Sequence, residues 1–245
     1  MGHIITDLKE TFRRGNTFIR LIYINVGIFV IGTLISVILQ LFNLSATGIF
    51  DLFALPASLH RFILQPWSLL SYMFMHGGFS HIFFNMFAVF MFGTVLERTW
   101  GPKRFLFYYI ACGIGAGLIQ EGVQYIKYIV DYSHYSQVDI GTGIIPMGEF
   151  LNMLTTVGAS GAVYAILLAF GMLFPNNQLF IFPLPFPIKA KFFVFGYALI
   201  ELYAGFANNP GDNVAHFAHL GGMIFGFILI MYWRKKSRNN GTYYN

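Results

Sequence analysis

Charge is scarce in this sequence. Asp, Glu, Lys and Arg together make up 10% of its 245 residues, against 56% hydrophobic residues, where a soluble domain carries about 25% charged residues. A water-soluble globule is therefore excluded, and the chain is expected in a bilayer. Cysteine is nearly absent: Cys112, within an apolar stretch, is the only one, so no intramolecular disulfide can form and nothing is learned of the redox compartment. There is no HExxH pair of the kind that binds zinc in metalloproteases, no internal repeat, and no period-two alternation of the sort that marks membrane strands. The net charge of +5 does not form a nucleic-acid patch, because the basic residues lie in short clusters between apolar runs.

What remains is a set of apolar runs. A helix needs about 20 residues to cross the hydrocarbon core, and six segments approach that length: Phe18 to Phe42, Ile82 to Leu96, Phe105 to Gly122, Ala159 to Phe174, Ala190 to Ala207 and Val214 to Trp233. The second and fourth are short and are expected to be extended by their flanks. The first has no small-residue cleavage site after a short apolar core, so it reads as a retained helix and not a signal peptide. This gives an all-α membrane protein with a cytoplasmic amino-terminal segment (1–17), a six-helix membrane domain (18–233) and a basic cytoplasmic tail (234–245).

Thirteen of the 15 basic residues fall at the amino terminus, in the second-to-third and fourth-to-fifth connections and in the tail, and only Arg61 and Lys127 fall on the other side. Both termini are thus expected in the cytoplasm. Two outer connections are long, Asn43 to Trp67 and Tyr125 to Val157, and a segment of that length has either a function or no fixed structure. Residues 174–191 carry four prolines, which rule out a regular helix across them and mark a cytoplasmic turn.

With that topology, polar residues meet at one depth. His219 lies about six residues into the sixth span, roughly 9 Å deep at 1.5 Å per residue. Ser160 opens the fourth span, and His81 and Asn85, stacked by their i, i+4 spacing, open the second. Ser160 alone fits ordinary small-residue helix packing, and His216 with His219 offers a spacing suited to two metal ligands. Together, however, a serine and a neutral imidazole form a possible nucleophile and base. Glycines 158 and 161 around the serine, with 222 and 226 on the face of His219, allow the helices to approach. No Asp or Glu lies in the fourth or sixth span and none adjoins these histidines in the sequence, so the expected arrangement is a dyad without metal. Tyr164, one turn below Ser160, can pack on the imidazole. The helix amino terminus at Ser160, with His81 and Asn85, can supply donors to an oxyanion.

"HGGFSHIFFNM" (76–86), "GASGAVYA" (158–165) and "AHFAHLGG" (215–222) resemble, in order, the three signature segments of rhomboid intramembrane serine proteases. The resemblance implies a six-helix rhomboid-like bundle with Ser160 as nucleophile and His219 as base. It further implies His81 and Asn85 as the oxyanion pair, Tyr164 stacked on the base, His76 in a structural place, and no catalytic position for His216. It also implies cleavage of single-span membrane proteins near the outer surface, without cofactor or metal. Ser68 follows Trp67 where the family commonly has an arginine. The expected partners are transmembrane protein substrates and the lipid bilayer, with no nucleic acid, and the expected location is a bacterial cytoplasmic (inner) membrane. A catalytically inactive rhomboid-like binding or quality-control protein is the alternative, and a channel or transporter a third reading. Bulky Phe192, Phe193 and Phe195 make the fifth span the expected lateral gate, beneath a cap formed by residues 206–213.

Overall fold

The computed structural model describes residue 12 and residues 15–180, 185–207 and 214–239. Most of the amino-terminal segment, residues 208–213 of the expected cap, residues 181–184 of the proline-rich turn and the end of the tail lie outside the described residues. The chain is mostly helical. Its long helices are α1 (Thr17–Leu41), α2 (Phe79–Trp100), α3 (Pro102–Lys127), α4 (Ser160–Leu173), α5 (Ala190–Ala207) and α6 (His216–Asn239). Five of them are long and apolar enough to cross a membrane; α4, at 14 residues, is shorter.

The flanks extend α2 in both directions beyond Ile82–Leu96, and a π-helical turn at Val89–Gly93 interrupts it. It ends at Gly101, whose φ of +80° suits a residue without Cβ, and Pro102 then opens α3 at the position where a missing N–H costs nothing. Near that turn the buried Glu97 carboxylate accepts the N–H groups of Thr17 and Phe18, each at 2.8 Å, and so caps α1. E97A should destabilise the protein by about 1–3 kcal/mol, through loss of charged hydrogen bonds at a helix amino terminus. The check is the unfolding midpoint in detergent, and an unchanged midpoint would show that the cap contributes nothing net.

The core forms where α3, α4 and α6 pack together, with Phe105, Tyr108, Tyr109 and Cys112 of α3 fully buried beside Ala162, Ala165, Ile166 and Ala169 of α4. This enclosure explains how α4 can be short: it faces other helices instead of lipid. By contrast only Phe18, Leu21 and Asn25 of α1 are buried, and its outer half presents apolar side chains outward. Such a face is stable only in hydrocarbon. At the end where α2 meets α3, Arg104 lies 4.0 Å over the Trp233 ring, and Arg234 donates to the Met172 carbonyl near the close of α4. The helix α6 runs on through the basic residues to Asn239.

Both long connections at the opposite end are folded. Leu55–Pro56 pairs antiparallel with Thr155–Thr156, and Arg61 donates to the carbonyls of Asp51 and Asn152, joining one connection to the other. Residues 137–139 and 144–146 form a hairpin followed by a short helix, Met147–Met153. The Trp67 indole donates to the Leu52 carbonyl at 2.8 Å, while Ser68 is wholly buried.

Candidate active site

The pairing of Thr155–Thr156 delivers the chain to Gly158, whose N–H donates to the Tyr72 carbonyl at 2.9 Å and whose φ is +130°. That conformation strains any residue with a Cβ. A Cβ there would also come within 2.7 Å of the His81 ring and 3.6 Å of Ser160 Oγ, so the imidazole of α2 and the serine of α4 border the same small space. Ser160 is the first residue of α4, where backbone N–H groups have no partner within the helix.

The second wall comes from α6. A Cβ on Gly222 would overlap the Gly161 carbonyl oxygen, and one on Gly226 would overlap the Tyr108 hydroxyl. The absence of a side chain at Gly222 lets α6 meet α4 backbone to backbone, and at Gly226 it admits the Tyr108 hydroxyl of α3. This contact brings His219 Nε2 to 2.8 Å from Ser160 Oγ. The Tyr164 ring lies parallel to the His219 imidazole, centroids 4.2 Å apart and planes within 9°. Asn85 is buried on α2, one turn beyond His81. His76 packs edge-on against His81 at 5.1 Å; burial, with His81 beside it, pushes its imidazole down to about 4, so it is neutral at pH 7.

One residue was missed from the sequence. Glu201 of α5, 5% exposed, places Oε2 at 2.8 Å from Nδ1 of His219 and at 2.6 Å from Nδ1 of His216, while Oε1 accepts the Tyr164 hydroxyl. The expectation that no carboxylate accompanies these histidines is thereby corrected: the acid comes from the helix between them and Ser160 in sequence, which crosses α6 at this level. Its signal was present in "YALIELYAGF", since an acid inside an apolar span is costly enough to indicate a site. Glu201, His216 and His219 also offer one metal-ligand atom each within 4.8 Å. In the described geometry both histidine Nδ1 atoms are hydrogen-bonded to Glu201 Oε2.

The three phenylalanines of α5 differ in placement. Phe192 and Phe195 are 61% and 64% exposed, and they lie about 14 and 9 Å along the helix from Glu201. Phe193 turns inward, packing against the cluster of Leu167, Val194 and Met223 that Phe92 of α2 also joins.

A sequence profile of the rhomboid domain matches residues 64–236. The putative rhomboid protease YdcA of Bacillus subtilis (strain 168) is 28% identical over 172 residues, covering 66% of this chain and 65% of that protein. Rhomboid protease AarA of Providencia stuartii is 30% identical over 161 residues, 64% of this chain and 52% of that one. The chloroplastic Rhomboid-like protein 16 of Arabidopsis thaliana is 27% identical over 157 residues, 63% of this chain and 45% of that one. The chain thus spans less than two thirds of the length of each of these relatives. The profile, however, takes in α2 through most of α6, the whole set of helices around Ser160 and His219, and on that match the chain belongs to the rhomboid family and is a multi-pass membrane protein.

Proposed function

We propose that this protein is an intramembrane serine endopeptidase that cuts single-span membrane proteins near the outer surface, with Ser160 as nucleophile and His219 as base. The observation that carries the reading is the 2.8 Å contact between Ser160 Oγ and His219 Nε2 at the amino terminus of α4, with His81 beside it. In this reading α4 is a sixth, enclosed span, residues 18–233 form the membrane domain, and both termini face the cytoplasm of a bacterial cell.

Ser160 Oγ attacks the carbonyl carbon of the scissile peptide as its proton passes to His219 Nε2. The carbonyl oxygen becomes an oxyanion, met by N–H groups at the start of α4 and by side-chain donors of His81 and Asn85. When the C–N bond breaks, Nε2 returns the proton to the leaving amine and an acyl-enzyme remains. Water attacks this ester, losing a proton to His219, which passes it to Ser160 Oγ as the acid departs. Tyr164 keeps the imidazole in plane throughout. The site needs an extended stretch of substrate, so preferred substrates carry Gly, Pro or other helix-weakening residues in the outer part of their span.

A serine-directed phosphonate should label the purified protein once, at Ser160, and H219A should abolish that labelling. Chelators should leave it unchanged. Labelling at another residue, or inhibition by a chelator that zinc reverses, would contradict the reading.

A further inference from the structure

We infer that Glu201 is a positioning residue that completes the pair, so that Ser160, His219 and Glu201 act in line across three helices. The inference rests on the protease reading above. The two nitrogens of the His219 ring are both engaged, Nε2 with Ser160 Oγ at 2.8 Å and Nδ1 with Glu201 Oε2 at 2.8 Å. A carboxylate can only accept hydrogen bonds, so its contact at Nδ1 holds the proton there and leaves Nε2 bare toward the serine. That is the tautomer a base needs, and an ionised carboxylate also stabilises the imidazolium formed when Ser160 gives up its proton. Glu201 keeps its charge through the cycle; the proton moves only between Ser160, His219, the leaving amine and water.

The carboxylate is itself held in place. Its second oxygen accepts from Tyr164, the residue stacked on the His219 ring, and His216 donates to the same oxygen as His219. Of α5, only Ala190, Val194 and Glu201 are buried. Among the described residues Glu201 is therefore the one buried side chain of the site-bearing half of α5, and it ends on the ring of the base. A purely structural tether would need only some polar contact to α4 or α6, whereas this one meets the nitrogen opposite the serine.

The test compares wild type, S160A and E201Q in detergent on one single-span substrate, with kcat and KM separated. E201Q should lower kcat by about a hundredfold or more, as loss of the orienting carboxylate does in serine triads, with KM nearly unchanged. Wild-type kcat in E201Q would overturn the inference while leaving the protease reading intact. Absence of cleavage by wild type, or equal cleavage by S160A, would overturn both. A loss seen only in KM would reduce Glu201 to a tether and overturn its positioning role. Should E201Q fail to fold, wild type labelled with 15N-histidine decides the matter. The ring shifts assigned to His219, by their disappearance in H219A, should be those of the Nδ1–H tautomer, and the Nε2–H tautomer would overturn the inference.

Discussion

H219A should lower cleavage of a single-span substrate by at least about a thousandfold, since removal of the base from a serine hydrolase site removes most of its rate acceleration, while H216A should retain substantial activity. The two histidines are three residues apart on α6 and both reach Glu201, with ring centroids 6.3 Å apart and planes at 87°. Only His219 Nε2 reaches Ser160. Its ring is also the one covered by Tyr164. His216 shares Glu201 Oε2 with His219 but does not touch the serine, so its loss takes one hydrogen bond from Glu201 and leaves those to His219 and Tyr164 in place. Steady-state kinetics on both variants in detergent separate the two roles. Equal loss at both positions would indicate that they act as a pair, as they would around a metal ion.

The second large effect is expected at Gly222. Its missing side chain faces the Gly161 carbonyl, a backbone atom that cannot rotate away. G222A therefore forces α4 and α6 apart and lengthens the Ser160–His219 contact that depends on their approach. Overpacking of this kind costs about 1–3 kcal/mol or more, and a misplacement near 1 Å lowers catalysis about a hundredfold. G196A is the matched control: a Cβ there has open space, and its midpoint should hold or rise slightly because Ala favours helix. Unfolding midpoint and cleavage rate, measured together, should both fall in G222A and neither in G196A. A G222A protein with the wild-type midpoint and rate would mean that these helices do not pack at this register.

The long apolar helices were legible because a bilayer permits few alternatives: long apolar runs bounded by Lys and Arg leave the backbone only helix to form. The meeting of Ser160, Tyr164 and His219 was legible for a related reason, since an i, i+4 pair on α4 and a glycine-lined face on α6 fix which sides of two helices can approach. What was not legible depends on contacts distant in sequence. The two-residue pairing of Leu55–Pro56 with Thr155–Thr156 has no periodicity to announce it, and Arg61 is drawn to two backbone carbonyls that no motif marks. Glu201 was hidden because the rotation of α5 about its axis decides whether an acid faces the site, and apolar patterning all round a lipid-bathed helix does not set that rotation. The same ambiguity applied to Phe192, Phe193 and Phe195, of which one turns inward and two face outward.

Peptide hydrolysis by Ser160 within a membrane domain is the step on which every other role at this site depends. Purified wild type and S160A, each incubated in detergent with a single-span substrate and analysed by mass spectrometry of the fragments, test it most directly. Wild type should yield two complementary fragments, cut toward the outer end of the substrate's span, and S160A should yield none. Intact substrate with wild type, or the same fragments from S160A, would contradict the account.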